Sequence, residues 1–564
     1  MPAIPRPPEQ RDAIAPGGGE AVGAYSVAPA LDDGDCSEGA ARLYIFAGIA
    51  LIAVGLLFGD IFAVFILHQN AVRQGAALLA ASHAVAARNV GEVNHIFSQL
   101  GDVLEDRGTK VDAHVHMIDA GYLALLLALA QPYILLSARA RRILAVLFIA
   151  GGALLPLGIF LIHYVGLAGS PFAAIGWASV LADSAGALLI LVLIAQVWGF
   201  LKFIREGGSV IGDGSGLAND DGMPRRALLS GGTILILLGF LLGAYYAGAM
   251  LYAHESMETS ILQRILDSSS SGQLSVAAAE VGNFGNLAGT RAVNIAAHSH
   301  IIEFGLLAIL LSFVQPSVLL SEKWKRRWVK IFLGGSIILP VFVLLEVRFG
   351  LVAGGIADIG GLMVLIALIG MLVGVVRHSG AREFAPLRAA IPESHQRRLA
   401  GSRNLLLVGG MLLAICGMLY GLHYAVVVEH QTLDKMGGSL AQSFSASAVR
   451  DFEQSRMALL QYAETKYDYV RQVDAHSHWT GLAMLLFVLG AIFQRLNFRE
   501  STRLLVASAL VIGSVMFPLA VLLQTYNRGT FVWKAFSVVG SALIIAALAA
   551  TAWGFVRPRA VGME

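Results

Sequence analysis

One pattern of residues in this chain has chemical content, and it occurs three times: Ala113-His114-Val115-His116, Ala297-His298-Ser299-His300 and Ala475-His476-Ser477-His478. Neutral imidazole is a common ligand of haem iron, copper and zinc. Residues i and i+2 of a helix point about 200° apart, because each residue turns about 100°. The two rings of a pair are therefore set to serve two different sites on opposite flanks of a helix rather than to chelate one metal. His114, His116, His298, His300, His476 and His478 are the candidate cofactor ligands. The competing reading is an interfacial histidine that hydrogen-bonds a backbone carbonyl or caps a helix. Most of the sequence between the copies has diverged while all six histidines remain, which favours ligation.

A second set, His68, His254 and His430, closes the first apolar run of each copy, in His-Gln-Asn, His-Glu-Ser and His-Gln-Thr. These are candidate metal ligands or partners that orient one; otherwise they are ordinary interfacial histidines. Ionisable residues inside apolar runs are costly and mark pathways or buried pairs. Asp60, Asp119, Asp183, Glu303, Glu346, Arg348 and Asp358 are such residues. Asp183 and Asp358 occupy equivalent positions and are placed to accept the second N–H of an imidazole. Glu303 follows His300 by three, so it shares that ligand's helix face and is a candidate for proton handling or for a hydrogen bond between helices.

These residues need elements to hold them. The chain has 564 residues, 56% hydrophobic and 14% charged, with a mean hydropathy of +0.70. Soluble domains are about a quarter charged, so a water-soluble enzyme is excluded. The 40 basic residues against 38 acidic leave no basic excess, which excludes a nucleic-acid-binding protein. Cys36 and Cys416 are too few for a disulfide framework. Apolar runs of about 20 residues suit a hydrocarbon core roughly 30 Å thick. Twelve are expected, near 43–67, 116–136, 143–166, 176–201, 227–252, 301–320, 329–352, 356–376, 404–428, 479–494, 504–526 and 532–556. Backbone amides in lipid must be satisfied within the segment, so these are helices and the fold class is all-α.

The three histidine pairs are offset by 184 and 178 residues, and Pro156, Pro340 and Pro518 repeat the same offsets. Such self-similarity is the signature of an internal repeat. It predicts three four-helix repeats, 43–202, 227–377 and 404–557, in a pseudo-threefold arrangement. A disordered cytoplasmic tail is expected over 1–42, and cytoplasmic linkers over 203–226 and 378–403. Each repeat contains an external segment, 69–113, 254–297 or 429–475, expected as a helical hairpin contributing to a cap. The loops opposite those segments hold 26 of the 40 basic residues. By the positive-inside rule they are cytoplasmic, with both termini, in a bacterial inner membrane.

Twelve helices in three units, with histidines at the outer ends of the second, sixth and tenth, resemble the catalytic subunit of haem-copper oxidases. The matching positions are His476-Ser477-His478 on the tenth helix and His114 or His116 on the second. The resemblance covers the helices and not the external segments. It implies bis-histidine b-type haem held between neighbouring helices. It does not extend to an oxygen-reducing copper site: His300 is followed four residues later by Phe304, His298 by Ile302, and 329–352 contain no histidine. The expectation is a haem-binding electron-transfer protein with up to three haems. A periplasmic electron carrier or a quinone would be its redox partner, with other membrane subunits as further partners. The alternatives are a membrane copper- or zinc-binding protein and a non-catalytic receptor or assembly factor facing the periplasm.

Overall fold

A computed structural model describes residues 33–165, 177–205, 222–380, 401–527 and 530–557, and among these there is no strand. The chain is an all-α polytopic membrane protein, with twelve helices long and apolar enough to cross a bilayer. Its elements follow one order three times. Helix α1 (Asp33–Ile61) runs through a π-helical turn (Phe62–Ile66) into α2 (Leu67–Ala86). The chain then reverses into α3 (Val90–Ala130), passes a 3-10 turn (Gln131–Tyr133), and continues as α4 (Ala138–Val165) and α5 (Trp177–Arg205). The second passage comprises α6 (Gly222–Tyr245), a π turn (Tyr246–Met250), α7 (Leu251–Ser270), α8 (Leu274–Val314), a 3-10 turn (Gln315–Ser317), α9 (Glu322–Phe349) and α10 (Leu351–Gly380). The third comprises α11 (Gly401–His423), a π turn (Tyr424–Glu429), α12 (His430–Ala448), α13 (Phe452–Ile492), a 3-10 turn (Phe493–Arg495), α14 (Glu500–Tyr526) and α15 (Phe531–Val556).

The expected external segments are helical hairpins whose arms run on into the membrane helices. Helices α3, α8 and α13 each have 41 residues. That is roughly 60 Å of rod, about twice the hydrocarbon thickness. The inner arm of each hairpin and the second membrane helix are thus one continuous helix. Polarity changes along it, but no proline or left-handed residue interrupts it, and a change of polarity does not break a helix. The outer arms α2, α7 and α12 likewise continue the first membrane helices through the π turns.

The hairpin tips are built alike. Arg88, Gly272 and Arg450 take left-handed φ of 55°, 76° and 65°. Their amides bond back to Val85, Ser269 and Ser447, closing the preceding helices as left-handed caps do. Asn89 Oδ1 then accepts from the Glu92 amide at 3.2 Å, and Asp451 Oδ1 from the Gln454 amide at 3.0 Å, starting α3 and α13 with side-chain N-caps. At the opposite end of the bundle, the amides of Leu135, Leu319 and Asn497 donate to the carbonyls of Gly199, Gly374 and Gly554. A Cβ on any of these glycines would strike the loop that it holds, at 2.5–2.7 Å.

Two expected boundaries move. The tail expected over 1–42 becomes helical at Asp33, and Ala40, Ala41 and Tyr44 are buried. Small residues there let α1 extend one further stretch against its neighbours. Residues 1–32 lie outside the described residues, as do 206–221 and 381–400 within the expected linkers. What is described of the linkers is helix: α5 runs to Arg205, α6 starts at Gly222, α10 runs to Gly380 and α11 starts at Gly401.

The passages meet in one sequence of contacts. Helix α5 packs on α6, α10 on α11, and α15 on α1, while α3, α8 and α13 touch one another pairwise. Leu125, Leu311 and Leu485 from these three long helices have no exposed surface. The contact between last and first helices is sealed by Ser541, whose hydroxyl donates to Asp60 Oδ2 at 2.6 Å. A chain carrying Asp60→Cys and Ser541→Cys, with Cys36 and Cys416 changed to serine, should form an intramolecular disulfide under mild oxidation. Electrophoretic mobility before and after reduction reads this, and absence of the cross-link in folded protein would refute the packing of α15 on α1.

Candidate functional site

The six histidines lie on the three long helices, roughly 20 Å above the ends that carry the 3-10 turns. The histidines fall within the spans Asp106–Tyr133, Leu274–Ser317 and Phe452–Arg495. The first histidine of each pair faces the first membrane helix of its own passage. His114 Nδ1 donates to the Gly55 carbonyl at 2.7 Å, His298 Nδ1 to Gly239 at 2.9 Å and His476 Nδ1 to Gly417 at 2.9 Å. One helical turn further along, Gly59, Gly243 and Gly421 lie against the same rings. A Cβ at these glycines would come within 2.3–2.4 Å of the imidazole Cε1. Each first helix therefore presents Gly-x-x-x-Gly, one glycine supplying a carbonyl and the next a gap that admits the ring. Small residues allow this close approach between membrane helices.

The second histidines bond along their own helix or to a carboxylate. His116 Nδ1 donates to the Asp112 carbonyl at 2.8 Å and His478 Nδ1 to the Asp474 carbonyl at 2.5 Å. His300 Nδ1 lies 3.8 Å from Glu303 Oε2. Five of the six rings thus hydrogen-bond a backbone carbonyl through Nδ1, while His300 has a carboxylate nearby. A ring that donates from Nδ1 keeps Nε2 as an acceptor, the state in which imidazole binds a metal, and a fixed Nδ1 partner sets the orientation of a ligating ring. Backbone carbonyls fill the orienting role for which the sequence put forward Asp183 and Asp358. Asp183 is exposed and Asp358 half-buried.

The first histidine of one passage meets the second histidine of another. The rings of His476 and His300 have centroids 6.3 Å apart at an interplanar angle of 71°. His114 is in electrostatic range of His478, and His298 of His116. Ring contact is thus made between His476 and His300, and the same cross-helix relation in electrostatics links His114 with His478 and His298 with His116. Each joins two different long helices, and no histidine is used twice. This is the two-flank geometry that the i, i+2 spacing predicts. Aromatic rings back two of the second histidines: His300 stacks on Phe304 at 5.8 Å, and His478 meets the edge of Phe517 at 4.7 Å.

Three residues beyond the second histidines stand Asp119, Glu303 and Gly481. Asp119 and Glu303 interact electrostatically with each other from neighbouring helices, and Tyr122 is in range of both. Glu303 is also in range of His476. Gly481 stands beside the Tyr122 hydroxyl, which would lie 3.7 Å from a Cβ at that position. Both carboxylates stand one helical turn beyond the second histidines. Asp60, which accepts from Ser541, is in range of His478. Sequence reasoning marked Asp60 and Asp119 as intramembrane acids but gave them no partners.

The second set of histidines is only partly described. The side chains of His68 and His430 lie outside the described residues. His254 is buried beside Tyr246, with ring centroids 6.0 Å apart. Among the described residues, no three histidine, cysteine, aspartate or glutamate side chains gather as a metal site would require. The pairs described above need only two ligands each. The six glycines that seat the histidines are the residues sequence reasoning missed. Their signal was available, because Gly55, Gly239 and Gly417, like Gly59, Gly243 and Gly421, repeat the 184- and 178-residue offsets.

No protein-family profile matches this chain, and no curated protein matches it.

Gly243→Ala should push the His298 ring from its seat and cost about 1–3 kcal/mol, the usual penalty of overpacking. Gly75→Ala, in α2 with nothing near its Cβ position, should instead be neutral or stabilising by up to about 1 kcal/mol. Thermal unfolding in detergent separates the two, and equal behaviour would refute the glycine seat.

Proposed function

We propose that this protein is a membrane electron-transfer protein that holds b-type haem between imidazoles of adjacent long helices. The observation that carries this reading is the cross-helix contact of the His300 and His476 rings, with interactions of His114 with His478 and of His298 with His116 between the other long helices. The donor set fits the group. His300 and His476 would hold the group, which would supply one-electron chemistry there. A bis-imidazole haem has no open coordination position.

The chain's own residues have defined tasks in this reading. The Gly55, Gly239 and Gly417 carbonyls hold the first rings and keep Nε2 free to ligate. The Asp112 and Asp474 carbonyls do the same for His116 and His478, and His300 packs on Phe304. Three pairs around the central long helices accommodate up to three haems within a pseudo-threefold arrangement, in line with the resemblance to haem-copper oxidase catalytic subunits. Asp119 and Glu303 are a pair of carboxylates in a low-dielectric interior, where two full negative charges are costly. In this reading they place acceptor oxygens one helical turn from the histidines, with Glu303 in electrostatic range of His476. The positive-inside rule places the cap outside a bacterial inner membrane and both termini in the cytoplasm. A periplasmic electron carrier or a lipid-soluble quinol then meets the pairs from the outer side.

Protein purified after expression with ample haem should show a Soret band and the pyridine haemochrome of haem b. His116→Ala and His298→Ala should each remove the same haem, and the double variant should lose no more than either single one. His116→Ala combined with His114→Ala should lose two, because those rings belong to different pairs. Copper or zinc without iron, or no Soret band, would overturn the reading.

A further inference from the structure

A cavity of about 220 Å³ lies between α7 and α8 in the cap, lined by His254, Glu258, Phe284, Leu287, Arg291 and Ile295, with alanines completing the wall. Its chemistry is uneven. Phe284, Leu287 and Ile295 give an apolar enclosure. His254 is 8% exposed, and its Nδ1 is buried with no hydrogen-bond partner among the described residues. A buried polar atom left without a partner is costly and calls for an occupant.

Two further features restrict that occupant. Arg291 lies 3.7 Å from Glu258, so the cavity carries no net charge and does not suit a phosphate. His254 and Glu258 are i and i+4 on α7, hence one above the other on the same face, with Cβ atoms about 5–6 Å apart. The Glu258 carboxylate only accepts hydrogen bonds, and His254 Nδ1 accepts when the proton is on Nε2. Two acceptors one helical turn apart match two hydroxyls placed para across a six-membered ring. The volume fits as well, since a cavity of about 150 Å³ holds benzene.

We propose that this cavity binds the ring of a lipid-soluble quinol, with one hydroxyl donating to His254 Nδ1 and the other to the Glu258 carboxylate. These two acceptors favour the diol, since Arg291, the donor in the lining, is paired with Glu258. Ile295, 45% exposed, forms an apolar lip on the side toward the membrane-spanning part of α8, where an alkyl tail can leave. The cavity also adjoins a histidine pair. Arg291 is in electrostatic range of Asp112, and the Asp112 carbonyl accepts from His116 Nδ1. Ile295 stands one turn before His298. The binding site stands on the cavity itself and does not require the haem reading.

The test is calorimetric titration of the full-length protein in nanodiscs with a decyl-substituted benzoquinol under argon, and separately with its oxidised quinone. Saturable quinol binding is expected, at least tenfold tighter than that of the quinone. His254→Phe and Glu258→Leu should each weaken it tenfold or more, and Ala288→Trp, which fills the cavity, should abolish it. Thermal unfolding shows which variants remain folded, and the two polar substitutions carry the test if the tryptophan variant does not. No saturable binding to the wild-type chain, equal affinity for quinol and quinone, or binding unchanged in His254→Phe would overturn the proposal. So would a co-purifying phospholipid, seen by native mass spectrometry, that Ala288→Trp removes and quinol does not displace. Iron counted on the same samples separates the two readings: quinol binding without iron sinks only the haem assignment, and iron without quinol binding sinks only this one.

Discussion

The bond from a histidine Nδ1 to a glycine carbonyl on the neighbouring helix, made three times, organises the centre of this protein. A carbonyl within a helix normally serves the amide four residues on. Here His114, His298 and His476 add a second donor to Gly55, Gly239 and Gly417, which a carbonyl's two lone pairs allow. The rings reach those oxygens only because Gly59, Gly243 and Gly421 have no side chain where the imidazole lies. Glycine, carbonyl and ring are one device, and it sets both the spacing of the first and second membrane helices and the direction of each free Nε2.

From that device the pairing of histidines follows. A ring anchored on one side of a long helix leaves the other member of His-x-His on the opposite flank, facing the next passage. With α3, α8 and α13 in mutual contact, each ring held by a glycine carbonyl is directed toward a second histidine of a neighbouring long helix. The same contact brings Asp119 toward Glu303 and Tyr122. A bilayer interior gives such carboxylates no water, so placing two of them within electrostatic range is costly.

Continuity of the long helices ties the cap to this centre. Because α8 carries the wall of the cap cavity and His298 on one unbroken rod, a change at the cavity has a stiff route to the histidine level. The π-helical turns at Phe62–Ile66, Tyr246–Met250 and Tyr424–Glu429 lie on the other arm, between the glycine seats and the outer helices. π turns concentrate at functional sites, and these three occupy equivalent places beside the three histidine seats.

The sequence by itself determined the all-α membrane class, the twelve spans and the threefold recurrence of motifs, because hydrophobic run length and residue offsets are local, one-dimensional quantities. It singled out the six histidines and assigned the two rings of each pair to different flanks, since helical geometry alone turns i from i+2. Tertiary structure decided which rings come into range of one another: His114 with His478, His298 with His116, His476 with His300. It also decided that glycine carbonyls rather than Asp183 and Asp358 orient the first rings, and that the cap arms continue the membrane helices. Those outcomes depend on which surfaces touch, and contact between residues 59 or several hundred positions apart leaves no mark in local composition. The glycines stood at legible offsets, but their purpose appears only when a ring from another helix occupies the space that they leave open.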